Sequence, residues 1–169
     1  MGHREVDFEP GHADHGISTS QTVFWLEERT REGVLDALRT GTMYARRGVG
    51  NSVTVHDFRV SDTDAEQVAH TGGHVTLTDS PTITIDLDTG DREDLTLQVI
   101  RSGKVIKTTR VTGDTTVSLE DLIIGGEGTT FYRFTLLSGE WPVLASNPIF
   151  VTIRMEGVQQ FPSNSEVGA

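Results

Sequence analysis

The chain has 169 residues, 25 of them acidic against 14 basic, for a formal charge of −11, and it contains no cysteine. That length holds one domain, or one domain with part of another, and buries a core large enough to need no covalent staples. The charge repels nucleic acid at long range, and the missing cysteine excludes disulfides, thiolate zinc sites and a cysteine nucleophile.

Residues 1–22 are polar and aperiodic, with histidines at His3, His12 and His15, and read as loop. Met1-Gly2-His3-Arg4-Glu5 has no apolar signal-peptide core. Val23-Phe24-Trp25-Leu26 is a short apolar run, consistent with a buried strand, with Trp25 in a core between helix and sheet. Thr30 to Arg39 is the one clear helix. Thr30 caps its start, Val34, Leu35 and Leu38 share a face, Glu32 and Arg39 suit the dipole, and Gly41 suits the left-handed position past its end. Ala37 and Leu38 are expected against a buried surface. Arg46–Arg47 is only a pair, so no basic cluster offsets the acidic balance.

From about residue 52 the period becomes two. Val53, Val55, Phe58 and Val60 alternate, with a slip at His56–Asp57 that predicts a β-bulge. Val75 and Leu77 mark a short strand. Ile83, Ile85 and Leu87 alternate with Thr82, Thr84 and Asp86, which predicts one buried face and one wet face. Leu95, Leu97 and Val99 lead through Ser102-Gly103 to Val105–Val111 as a hairpin. Val117 and Leu119 give another strand, Gly125–Gly128 a turn, and Tyr132, Phe134 and Leu136 one face of the most apolar strand. Ile149, Val151 and Ile153 close the pattern. Roughly seven short strands with turn signals every 8–12 residues predict an immunoglobulin-like antiparallel β-sandwich over residues 50–156. Residues 157–169 read as a frayed tail. No apolar run approaches the roughly 20 residues of a membrane helix.

Two stretches resemble a known family. Arg31-Glu32-Gly33-Val34-Leu35-Asp36-Ala37-Leu38-Arg39-Thr40-Gly41-Thr42-Met43-Tyr44-Ala45 resembles the last helix of the PHP (polymerase and histidinol phosphatase) metallohydrolases, where an "ALR-x-G-x-x-YA" segment closes the catalytic barrel and leads to an appended β domain. Phe131-Tyr132-Arg133-Phe134, followed by Ala145-Ser146-Asn147-Pro148-Ile149-Phe150-Val151, is similar to the end of that domain, an aromatic strand and then "SNPI-aromatic-V". The resemblance spans residues 24–154. It implies that residues 1–49 are a remnant of a preceding hydrolase domain, and that the sandwich is a non-catalytic module supporting or covering that domain's active site. The parent would hydrolyse phosphoesters with divalent zinc, manganese or iron, with no cofactor in this chain. The expected partners are that hydrolase domain and, through the helix, a second copy of the chain; neither nucleic acid nor membrane is expected. No compartment follows. The chain departs from the family in lacking the "DxHxH" ligand segment and the length for a barrel.

Several motifs have alternative readings. His12, Asp14 and His15, in Gly11-His12-Ala13-Asp14-His15, are the candidate metal ligands, although a site needs more converging groups than one loop offers. His70-Thr71-Gly72-Gly73-His74 reads as a β-turn in preference to a phosphate cradle, because strand-like sequence follows it. No G-x-S-x-G elbow is present, and no catalytic residue is assigned. The carboxylates Asp86/Asp88 and Glu127/Glu140 read as solvated. Trp141, before Pro142, is either a packed loop residue or an exposed aromatic for a sugar or a protein. Tyr132 is expected to bond a backbone group, as in a tyrosine corner. A carbohydrate- or protein-binding module, and residual metal-dependent hydrolysis, are the alternative functions.

Overall fold

The computed structural model describes residues 20–47, 52–122 and 128–154. In chain order its elements are β1 (Ser20–Phe24), α1 (Arg31–Thr40), β2 (Met43–Arg47), β3 (Thr54–Ser61), β4 (Val68–His70), β5 (His74–Leu77), β6 (Thr82–Asp88), β7 (Leu95–Arg101), β8 (Lys104–Val111), β9 (Asp114–Glu120), β10 (Gly128–Ser138), β11 (Trp141–Ser146) and β12 (Ile149–Ile153). The fold is mainly β. Twelve strands stand among the described residues where the sequence suggested about seven. The strands the sequence did not mark are β2, β4 and β11, of five, three and six residues. None of MYARR, VAH and WPVLAS alternates apolar with polar residues along its length.

Two sheets form the sandwich. The smaller has the order β4-β3-β6-β9, antiparallel throughout. The larger has eight strands and is built around β10, which pairs β7 along one edge, with β8 beyond it. Along its other edge, Gly128–Tyr132 pair β12 and Thr135–Ser138 pair β11. β11 and β12 thus form one line, broken at Asn147-Pro148. Beyond it lie β2 against β11, antiparallel, and β5 against β12, parallel. β1 pairs β2. The segment drawn from sequence as a remnant, residues 1–49, therefore contributes β1 and β2 to the larger sheet.

The core lies between the sheets, as alternation predicts. Ile83, Ile85 and Leu87 from one sheet and Leu95, Leu97, Val99, Tyr132, Phe134 and Leu136 from the other are all buried. Phe58 and Phe134 meet edge-to-face across the interface at 5.1 Å, a geometry favoured by the ring quadrupoles. The slip at His56 is a bulge, since the register against β6 shifts between Val55 and Asp57. The β7–β8 hairpin turns through Ser102 and Gly103, both at positive φ (44° and 84°). That is the type I′ geometry whose twist matches the strands.

Two expectations are corrected. Thr84, placed on the wet face, is 7% exposed. It does point away from the core, but it lies on a strand flanked on both sides, between Arg59 on β3 and Ser118 on β9, and these neighbours cover it. Helix α1 has the expected caps: Thr30 Oγ1 accepts from Gly33 N at 3.1 Å, and Gly41 is left-handed at φ 78°. Its buried contact is Ala37, while Leu38 is 49% exposed. A helix of ten residues that rests on one small side chain leaves its larger apolar ones uncovered.

Candidate functional site

One end of the sandwich gathers the helix terminus, the break between β11 and β12, and a cleft. The break has a local cause. Proline lacks the N–H that a central strand needs, so pairing with β10 lapses at Asn147-Pro148. The freed groups serve other elements. Asn147 Nδ2 donates to Gly41 O at 3.0 Å, and its backbone N to Met43 O at 3.4 Å. Gly72 N donates to Pro148 O at 3.0 Å, and Phe150 N to Gly73 O at 2.9 Å. The turn at Gly72–Gly73 is closed by Gly73 N donating to His70 O at 2.8 Å, with Gly72 at φ 82°. Gly72 lies so close to the helix end that a Cβ there would collide with the backbone of Thr40 and Gly41. Helix terminus, β2, the Gly72 turn and the Asn147-Pro148 break are thereby locked together.

Beside this junction a cleft opens between the segment leading into α1 and the bulged part of β3. Its first compartment, about 370 Å³, is lined by Trp25, Leu26, Glu27, Thr42, His56, Asp57, Phe58, His70 and Thr71. A second, about 340 Å³, shares Trp25, Leu26, Glu27 and Thr42 and runs along α1 past Glu28 and Asp36. Trp25 is pinned: its Nε1 donates to Val55 O at 3.1 Å, and its ring lies 4.9 Å from that of Tyr44. The bulge brings the consecutive residues His56 and Asp57 to the same cleft.

Asp57, one-quarter exposed, accepts from Arg59 Nη1 and, at 2.8 Å, from His70 Nδ1. A carboxylate only accepts, so the proton of this bond sits on His70 Nδ1. Thr71, 4% exposed, sits in the wall, and its Oγ1 has no hydrogen-bond partner. From the sequence, His70-Thr71 stands only in a motif weighed as a cradle and read as a turn, and Trp25 only as core. The readable signal was the bulge at His56–Asp57; the meeting of residues 25, 57 and 70 is set by long-range pairing.

The sequence-derived candidates fall elsewhere. His12, Asp14 and His15 lie outside the described residues, as do Glu127, most of Gly125–Gly128 and the tail 157–169. Among the described residues no group of three or more His, Asp or Glu side chains is arranged to hold a metal ion. Trp141 is 65% exposed beside the β10–β11 turn and is not among the residues that line the cleft. Tyr132 bonds a carboxylate, not a backbone group: its hydroxyl donates to Asp121 Oδ2 at 2.8 Å, and Arg101 Nη1 donates to the same oxygen at 2.8 Å. Burial first, and then the Asp121 carboxylate, push the Tyr132 hydroxyl well above the ordinary tyrosine range. No helix among the described residues is long and apolar enough to cross a membrane.

No protein-family model matches the chain, and a search of curated proteins finds no match.

Proposed function

We propose that the chain is a non-catalytic accessory module, an immunoglobulin-like sandwich that holds helix α1 in fixed orientation for a preceding PHP-type metal-dependent hydrolase domain and supports or covers its active site. One observation carries this reading. The two stretches that resemble the family meet: Tyr44 pairs Ser146, Ala45 pairs Ala145, and Asn147 holds the helix end at Gly41. Residues that look like a motif in each stretch thus act on each other, and their joint effect is to present α1. The helix then offers Leu35 and Leu38, 36% and 49% exposed, to a partner. In this reading the zinc, manganese or iron is held by the hydrolase domain.

The test is to mix the chain with the PHP-type barrel encoded upstream of it in the same reading frame and follow complex formation by sedimentation. A stoichiometric complex that Leu35→Glu/Leu38→Glu abolishes supports the reading. A barrel that ignores the chain, or binds the double variant equally well, sinks it.

A second reading, a carbohydrate- or protein-binding module, draws on the 65% exposure of Trp141. An uncovered indole is a platform for a sugar ring or a partner side chain. Saturable quenching by a soluble oligosaccharide, lost in Trp141→Ala, would favour it over the first.

A further inference from the structure

The two compartments of the cleft differ in chemistry along its length. The first has apolar walls from Trp25, Leu26 and Phe58. The second is polar and passes the carboxylates Glu27, Glu28 and Asp36. Neither is lined by a lysine or an arginine. Arg59, two residues along β3 from the lining residue Asp57, is bound to it. The first compartment also holds Thr71, whose buried Oγ1 lacks a partner, and the carboxylates Glu27 and Asp57. A buried hydroxyl without a partner is uncommon and calls for an explanation, and a ligand that supplies one is such an explanation.

An anion would meet carboxylates here with no lysine or arginine in the lining. A purely apolar guest would leave the acceptors unused and the acidic compartment empty. An organic cation with an apolar body fits both halves: its body against the pinned Trp25 face, its ammonium among acceptors and carboxylates. The combined space suits a small molecule or the end of one long basic side chain.

We infer that the cleft between the α1 leader and the bulge of β3 binds an organic cation with an apolar body, of the aryl- or alkylamine class. This does not depend on the accessory-module reading, and a failed barrel-binding experiment leaves it standing.

The chain has two tryptophans. Replacing the exposed Trp141 by Phe leaves Trp25 as the sole reporter and touches no part of the cleft. In this variant, phenethylamine should change Trp25 fluorescence saturably, with an affinity at least about tenfold above those of benzyl alcohol and phenylacetate. The three probes share a ring and differ in charge. Nα-acetyl-lysine methylamide is the arm that separates sources: tighter binding than phenethylamine identifies a partner's basic side chain as the guest, weaker binding a free amine. Glu27→Gln/Asp36→Asn, with a circular dichroism spectrum like that of its parent, should weaken phenethylamine at least about fivefold, since desolvated charge pairs contribute on that scale. Equal responses to all three ring probes would reduce the cleft to a non-specific apolar pocket. Absence of any saturable response would overturn the proposal outright.

Discussion

Tyr132 shows how a single side chain links core to charge. Its ring is buried and its hydroxyl donates to Asp121, which also takes Arg101. The sequence indicated a buried tyrosine with a bonded hydroxyl. It did not indicate the acceptor, because Arg101 reaches it through the pairing of β7 with β10 and Asp121 comes from the end of β9 on the other sheet. The raised pKa has a definite sign. The folded state keeps its proton at a pH where the unfolded chain loses it, so this contribution is complete below about pH 10 and is lost as pH rises through the folded value. Stability should fall above about pH 10, and Tyr132→Phe should flatten that fall while costing about 1–3 kcal/mol at neutral pH. Urea melts from pH 7 to 11 measure both; an unchanged alkaline slope in the variant would refute the assignment. Phe134→Ala should cost about 3–5 kcal/mol, because it empties the site packed against Phe58. Thr84→Ala should cost about 1 kcal/mol, since Thr84 is covered by neighbours on the outer face and is not wedged between the sheets. Equal losses in the two melts would mean that the faces are misassigned.

At the scale of elements, the local signals were legible and the distant ones were not. Thr30 and Gly41 announce α1, Ser102-Gly103 announces a hairpin, and His56–Asp57 announces a bulge. Each depends on residues within a few positions of itself. The pairing of β2 with β11, and of β5 with β12, has no local signature. Asn147-Pro148 was readable as part of a resemblance, but its mechanical role, ending the β10 ladder and freeing groups for two neighbouring strands, appears only once those strands are in place. Two glycines separate turn geometry from packing. Gly103 and Gly72 both have positive φ, yet a Cβ on Gly103 meets nothing within 4 Å while one on Gly72 meets the backbone of the helix end. Gly103→Ala should therefore cost about 1 kcal/mol, the backbone strain alone, and Gly72→Ala at least about 2 kcal/mol more. Hydrogen exchange should rise at residues 41–47 only in the second variant. A uniform response to both would dissolve the junction as a distinct unit.

For the whole molecule, alternation was enough to give a mainly β sandwich and its core, because period two fixes which side chains face inward whatever the strand order. It could not give the assignment of strands to sheets, nor show that residues 20–47 complete the larger sheet, since β1 and β2 are short and pair at a distance. The cleft was hidden for the same reason: its walls come from the α1 leader, β3 and the turn after β4. The uncovered side of α1 has a consequence for assembly. On its own, the chain should self-associate weakly through Leu35 and Leu38, and Leu38→Glu should suppress this. Sedimentation velocity from micromolar to millimolar concentration checks this; a monomer throughout would show that the helix surface is inert by itself.

The clamp on α1 also sets a timetable for synthesis. Gly41 and Asn147 are 106 residues apart in sequence. A ribosome adding roughly 5–20 residues per second needs roughly 5–20 s to cover that distance. The helix and β2 thus leave the exit tunnel long before the strand that fastens them exists, and they must wait with unmatched edges. Nascent chains arrested before Asn147 should be cut by protease near Gly41, and those released beyond Ile153 should resist. An early element is thus fastened by a late one.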